Sequence, residues 1–259
     1  MKVFINTDNY SEKSLNTKDK LVEYLKQMNI ENVGNIDYAD IVFSIGGDGT
    51  FLKSSKLSDK AIIGINTGTV GYLTEINPDD LKNTLESILN GDFYIEKRMM
   101  LEGEIHKSNG EVVKIPEALN EIAISKNTFG VVRFDAVVND KLINSYTADG
   151  ILVCTPTGST AYNLSCGGPI VDPTAEILTL TPIAPHTVIN RIIVLSDDSV
   201  VEIRITELRH NSSSFVLHDG NPIEVFSGDA IQIKKSNKST KIIKLENRSF
   251  IDTIRENIS

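Results

Sequence analysis

The stretch Ile41-Val42-Phe43-Ser44-Ile45-Gly46-Gly47-Asp48-Gly49-Thr50 decides the fold. An apolar run that stops at glycines predicts a buried strand ending in a tight turn, with backbone N–H groups turned toward an anion. Phe51-Leu52-Lys53-Ser54-Ser55 then opens a helix. Asp48 stands inside the turn, where a phosphate donor would arrive. A carboxylate there makes chemical sense if an alcohol must be deprotonated as it attacks phosphorus, because an aliphatic hydroxyl is a weak nucleophile without a base. Taken alone, Gly-Gly-Asp-Gly reads equally well as a turn without chemistry.

Outward from that turn, apolar runs alternate with helical spacing. Val3 to Ile5 and Ala61 to Ile65 read as further buried strands. Leu21, Val22, Leu25 and Met28 mark one amphipathic helix; Leu81, Leu85, Ile88 and Leu89, after Asn77-Pro78-Asp79-Asp80, mark another. This order predicts an α/β N-terminal domain with a parallel sheet over residues 1–97, completed by 245–259. Past Lys97 the texture changes to short β-rich runs: Glu121 to Ser125, Val131 to Val138, Arg191 to Leu195, Val200 to Ile205 and Ala230 to Lys234. Turn signals at Asn139-Asp140, Ser196-Asp197-Asp198 and Ser227-Gly228-Asp229 separate them. Residues 98–244 are therefore expected to form an antiparallel, β-sandwich-like C-terminal domain.

Composition narrows the function. The 259 residues carry a net charge of −9, a field that repels nucleic acid. No apolar run spans a bilayer, and Met1-Lys2-Val3-Phe4-Ile5 passes into Asn6-Thr7-Asp8-Asn9 without the apolar region of a signal peptide. Cys154 and Cys166 form no C-x-x-C pair or disulfide framework, so a cytoplasmic protein that binds neither nucleic acid nor membrane is expected. Anionic ligands would be held by backbone N–H groups, helix N-termini, a few lysines and a divalent cation. His106, His186, His210 and His218 lack partners at metal-ligand spacing and read as structural or surface residues.

Three more motifs add to the glycine turn. Gly64-Ile65-Asn66-Thr67-Gly68-Thr69-Val70-Gly71-Tyr72-Leu73 lies just beyond a strand's end, where ligands of parallel sheets bind, although alone it also reads as a loop shaped for folding, with Tyr72 in the core. Asn120-Glu121 interrupts an apolar run, which would set one polar side chain on each strand face; either one is aimed at a ribose or amide ring, or this is an exposed strand end. The densest signal is Asp149 through Pro169: a strand, a Pro/Gly turn, then a short helix capped by Ser159 or Thr160. His218-Asp219-Gly220 reads as a turn, and Lys234, Lys235, Lys238 and Lys241 as solvated hairpin ends.

In this order, Gly46 to Thr50, Gly64 to Leu73, Asn120-Glu121, Asp149 to Pro169 and Asp219-Gly220-Asn221, the chain resembles the bacterial NAD kinase family over nearly its whole length. The first motif is shared with lipid kinases and phosphofructokinases; the block from Thr155 to Pro169 is specific. The resemblance implies a phosphofructokinase-like first domain and ATP-dependent phosphorylation of the adenosine-ribose 2′-hydroxyl of NAD, giving NADP. It implies Asp48 as the proton acceptor and Gly46, Gly47, Asp48, Gly49 and Thr50 as the phosphate loop. Asp48, Gly49, Tyr72 and Asp149 would contact NAD, the last near the nicotinamide. Asn120 and Glu121 would hold a ribose or the nicotinamide end; Thr160, Ala161, Tyr162 and Ser165 would line the adenine side. Lys53 and Asn221 fall at ligand-binding positions. The cation would be Mg²⁺ brought with ATP, with no protein metal site and no tightly bound organic cofactor. Homodimers or homotetramers would be expected.

Some relatives carry arginine where this chain has Thr147, which makes Lys53 and Arg133 candidate replacement cations for a phosphate. A lipid kinase of the diacylglycerol or sphingoid type is the nearest enzymatic alternative, sharing the first loop but not needing the Thr155 to Pro169 block. A non-catalytic nucleotide sensor is the other, and the presence of Asp48 argues against it.

Overall fold

The structure, a computed structural model, describes all residues except 69, 70, 75, 128, 129, 187–190, 209–212, 246–248 and 259. The chain divides into two compact units, one of Met1–Arg98 with Ser239–Ser259 and one of Met99–Lys238.

In the first unit, β1 (Lys2–Thr7), α1 (Glu12–Gln27), β2 (Glu31–Asn32), β3 (Ile41–Gly46), α2 (Asp48–Leu57), β4 (Ala61–Asn66) and α3 (Leu81–Asn90) follow in order. β1 pairs in parallel with β2 and β3, and β3 with β4, from Val3↔Ile41 to Thr7↔Ile45 and from Ile41↔Ala61 to Gly46↔Asn66. Every residue of β3 is buried, as a continuous apolar run flanked by strands and covered by helices demands. Val3, Phe43, Ile45, Ile63 and Ile65 pack with Leu21 and Leu25 of α1 and with Leu81, Leu85 and Ile88 of α3. Ser11 caps α1, and Gly91 ends α3 in the left-handed conformation. Leu89, expected on the buried face of α3, is half exposed; it lies at the margin of the stripe formed by Leu81, Thr84, Leu85 and Ile88.

The second unit is built from β5 (Tyr94–His106), β6 (Val112–Ala118), β7 (Glu121–Lys126), β8 (Val132–Val138), β9 (Lys141–Ala148), β10 (Gly150–Cys154), α4 (Tyr162–Ser165), β11 (Ile177–Ile183), β12 (Ile193–Ser196), β13 (Val201–Leu208), β14 (Ser214–His218) and β15 (Asn221–Val225). β16 (Ala230–Lys244) gives its first residues to this unit and its last to the other, where α5 (Phe250–Ile258) ends the chain. One antiparallel sheet runs β12-β11-β10-β7-β14-β15. Opposite it lie β9, β8 and β13, the start of β16, and the β5–β6 pair. Ile122, Ile124, Ile151 and Val153 from the first sheet meet Phe134, Ala136, Ile203 and Ile231 from the second, forming a β-sandwich core. Strict alternation drives this: Val132, Phe134 and Ala136 point inward while Arg133 is exposed.

β16 runs far beyond the expected Ala230 to Lys234, so Lys234, Lys235 and Lys238 lie along a strand, not at hairpin ends. They pair with Glu102, Asp197 and Glu117 respectively. Ile242 pairs in parallel with Ile62 of β4. Among the described residues, no helix is long and apolar enough to cross a membrane.

Candidate functional site

The predicted site residues fall into two groups, one in each unit. In the first unit, β3 stops at Gly46 and α2 begins at Asp48, with Gly47 at the cap supplying no side chain to the first N–H groups. Thr50 N donates back to Gly47 O at 2.9 Å. Asp48 is engaged by the second glycine loop. Its Oδ1 accepts from Leu73 N (3.1 Å), Thr74 N (3.2 Å) and Thr74 Oγ1 (3.2 Å), while Oδ2, among the described residues, accepts from Tyr72 N alone at 2.9 Å. A carboxylate has about four acceptor positions, two on each oxygen, so Oδ2 keeps capacity that Oδ1 has spent. Tyr72 thus serves Asp48 through its backbone N–H. Gly71 makes the approach possible: a Cβ there would stand 2.3 Å from Asp48 Oδ1.

A buried polar chain docks α2 on the sheet, with Asn6 Nδ2 donating to Ser54 Oγ (2.8 Å) and Ser54 Oγ to Ser44 Oγ (2.9 Å). At the carboxyl ends of β1 and β3 lies a cavity of about 410 Å³, lined by Gly47, Gly49, Thr50, Lys53, Asp8 and Tyr10 among others. Its position is where parallel sheets bind ligands.

In the second unit, the expectation that Asn120 and Glu121 occupy opposite faces within one strand is corrected. β7 begins at Glu121, Asn120 sits in the bend before it, and both are only 8% exposed. The bend is held on all sides. Asp219 accepts from Leu119 N (3.0 Å) and Asn120 N (2.8 Å), one with each carboxylate oxygen, and its own N–H donates to Glu121 O at 3.1 Å. Thr155 N donates to Asn120 O (2.9 Å) and Thr155 Oγ1 to Leu119 O (2.6 Å). Gly158 packs so closely that a Cβ would meet Asn120 O at 2.2 Å. Asp219, read from sequence as a turn residue, is the organiser that sequence reasoning missed; its partners lie about one hundred residues away.

The Thr155 to Pro169 block forms a 3₁₀ turn, Thr157–Thr160, followed by α4. Neither Ser159 nor Thr160 caps α4: Ala161 stands at the cap, because the 3₁₀ turn places both hydroxyls behind it. Ser159 Oγ accepts from Val171 N at 3.0 Å, and Thr160 Oγ1 donates to Thr157 O at 3.4 Å. Fully buried Asn163, also unmarked in the sequence, donates to Ser159 O (3.4 Å) and Pro169 O (3.3 Å) and accepts from Thr181 Oγ1 at 2.7 Å. Tyr162 and Ser165 are exposed on this anchored turn; Ala161 is half-buried.

Burial, then Cys166, Asp149 and Glu121 in turn, pushes the Tyr162 phenol above its ordinary range; burial and Glu121 do the same to the Cys166 thiol. Glu121, Asp149, Tyr162 and Cys166 therefore share one acidic neighbourhood. Asp149 pairs with Lys126 Nζ at 2.6 Å. Asn221 is exposed and donates to His218 O (3.2 Å) and Asp219 O (3.4 Å), closing the β14–β15 turn. Thr147 stands opposite Arg133 in the β8–β9 register, and the Arg133 guanidinium pairs with Glu207. Lys53 is exposed beside the glycine turn in the first unit.

A parallel sheet ending in an acid-bearing glycine turn, together with a β-sandwich that rigidly presents an amide and a carboxylate, defines a nucleotide-handling protein. The chain belongs to the ATP-NAD kinase family: residues 4–93 match the ATP-NAD kinase N-terminal domain and residues 119–245 the ATP-NAD kinase C-terminal domain. It is 43% identical over 226 residues to the NAD kinase of Caldanaerobacter subterraneus, covering 85% of this chain and 79% of that one. Identity to the NAD kinase of Carboxydothermus hydrogenoformans is 41% over 222 residues, 84% of this chain and 78% of that one. The crystal structure of an Archaeoglobus fulgidus NAD kinase in complex with ATP superposes with a TM-score of 0.79 at 28% identity over 98% of both chains. Yeast NADH kinase complexed with NADH shares the fold, with a TM-score of 0.88 at 21% identity over 100% of this chain and 86% of that one. These relatives do not favour the lipid-kinase or sensor readings.

Proposed function

We propose that this chain is an NAD kinase, transferring the γ-phosphoryl group of ATP to the 2′-hydroxyl of the adenosine ribose of NAD to give NADP and ADP. The observation that carries the mechanism is the unequal use of the Asp48 oxygens: among the described residues, Oδ1 holds three donors and Oδ2 one. Oδ2 takes the hydroxyl proton as the ribose oxygen bonds to the γ-phosphorus and the bond to the ADP oxygen breaks. The first unit would handle the triphosphate with the phosphate loop Gly46, Gly47, Asp48, Gly49 and Thr50, and its Asp48, Gly49, Lys53 and Tyr72 are also proposed to contact NAD. The second handles NAD with Asn120, Glu121, Asp149, Thr160, Ala161, Tyr162, Ser165 and Asn221. Support for the second assignment is the rigidity of the Asn120 bend, since positioning is the larger part of catalysis in phosphoryl transfer.

Among the described residues, no three metal-ligating side chains converge. The Mg²⁺ ion of the proposed reaction would arrive on the triphosphate, where it would neutralise phosphate charge. Cytoplasmic placement fits the two cysteines without a disulfide framework. A homodimer or homotetramer is proposed from the exposed Leu142 and Ile143 on β9, which ends its sheet; light scattering would read the mass directly. The deciding experiment is NADP formation from NAD, ATP and Mg²⁺, detected with an NADP-specific dehydrogenase. Product from the wild-type chain and none from Asp48→Asn supports the assignment. No product with any donor, from protein shown to be folded, overturns it.

A further inference from the structure

Tyr10 is 97% exposed, so its ring does no work in any core, yet it lines the cavity that holds the glycine turn. An aromatic ring left open costs hydration on both faces, which a planar ligand can recover. The ring is not on a loose tip. Asp8 N donates to Ile45 O at 3.0 Å, tying the segment to the end of β3, and Asp8 Oδ1 accepts from Tyr10 N at 3.0 Å. Ser11, the next residue, caps α1, so the backbone is fixed on both sides of Tyr10. The other described lining residues are small, polar or charged, including Asn9, Gly47, Thr50 and Lys53. Apart from the Asp8 carboxylate, they suit phosphate oxygens, and none of them offers a face to a base. At about 410 Å³ the cavity is within the range that holds small organic ligands.

We infer that Tyr10 is the stacking platform for the base of the phosphoryl donor, which makes that donor a nucleoside triphosphate in preference to inorganic polyphosphate. The inference rests on the kinase reading for the direction of transfer, but the binding it describes stands apart from turnover. Stacking reads a π-face and not a hydrogen-bond pattern, so ATP and GTP serve about equally. The phenol hydroxyl has no part in it, so phenylalanine restores what alanine removes.

The test has two arms. Calorimetry measures ADP and pyrophosphate binding to wild type, Tyr10→Ala and Tyr10→Phe; steady-state kinetics measures KM for ATP and for tripolyphosphate with NAD and Mg²⁺ present. Tyr10→Ala is expected to weaken ADP binding and raise the ATP KM by about tenfold, the scale of one base–aromatic stack, and Tyr10→Phe to restore both. Pyrophosphate and tripolyphosphate should stay within about twofold of wild type. Equal losses for ADP and pyrophosphate, no change for ADP, or no ADP binding to wild type overturns the platform. Tyr10-dependent ADP binding without any NADP formation leaves the platform standing and removes the kinase reading instead.

Discussion

Replacing Gly71 with alanine tests whether the position of the Asp48 carboxylate governs turnover. The added Cβ would sit 2.3 Å from Asp48 Oδ1, 2.9 Å from Asp48 Cγ and 2.8 Å from Thr74 Oγ1, whereas ordinary contact begins near 3.4 Å. Gly71 is not among the residues with positive φ, so backbone strain is not the cause. Relief requires the carboxylate or the loop to move by about 1 Å, a misplacement that costs on the order of 100-fold in rate. The three bonds to Oδ1 weaken together, at about 1 kcal/mol each, which lowers Tm by several degrees without unfolding the chain. The assay is NADP formation under saturating NAD and ATP, with a thermal melt on the same preparation. Gly34→Ala, whose Cβ would meet nothing within 4 Å, is the control and should change neither. If Gly71→Ala lowers Tm yet keeps kcat within about threefold of wild type, the loop supports folding alone and the placement of Asp48 does not limit the reaction.

Asp48→Asn should lose on the order of 100-fold or more in kcat with NAD binding retained, and near-normal activity would remove Asp48 as the base. Its amide must also point a donor at a backbone N–H, so a loss of about 1–3 kcal/mol in stability is expected by denaturant titration. Asn120→Ala should mainly raise the NAD KM, since it would delete the contact to substrate proposed for it; an unchanged KM would take Asn120 out of the site. Asp219→Asn should raise the same KM through the Asn120 bend, with a loss in Tm confirming that one of its two N–H partners faces the new amide NH₂ in place of an acceptor; unchanged values of both would dissolve the clamp. Burial pushes both thiols up, Cys154 much further than Cys166, which leaves less thiolate at any given pH. Folded protein at pH 8 should therefore show an inert Cys154 and a slow Cys166 toward a disulfide reagent, with both fast in urea; full reactivity in the native state would contradict this packing.

The fold class was legible because its signals are local. The run Ile41 to Ile45 stops at glycines, and the strand it makes is buried at every position and feeds α2 directly. Val132, Phe134 and Ala136 alternate with Arg133, and that period of two survives packing. What the sequence hid is long-range or polar. Lys234, Lys235, Lys238 and Lys241 read as solvated hairpin ends; the first three are indeed about half exposed, but they lie along a continuing strand, where Glu102, Asp197 and Glu117 meet them from segments that no window of sequence contains. Ser159 looks like a helix cap until Val171, twelve residues on, takes its oxygen. Asp219 is the turn residue it looks like, but its hold on two amides near residue 120 is out of reach of local reading, and Asn163 is an ordinary polar residue until Thr181 meets it in the core.

The two units use the same device. Asp48 gathers three consecutive backbone N–H groups, of Tyr72, Leu73 and Thr74, and Asp219 gathers those of Leu119 and Asn120. In each case a carboxylate from one segment fixes a loop distant in sequence, replacing water with donors whose geometry is set by the fold. Such donors need no reorganisation when a ligand arrives, which is the condition under which positioning contributes most to rate. The device also addresses an electrostatic difficulty. A chain of net charge −9 must accept polyanionic ligands, and a bare carboxylate beside a phosphate would repel it. Converging N–H dipoles reduce that local repulsion while leaving the carboxylate in place for the role proposed for it. An acid without such a clamp would be either too repulsive or too mobile for the same task.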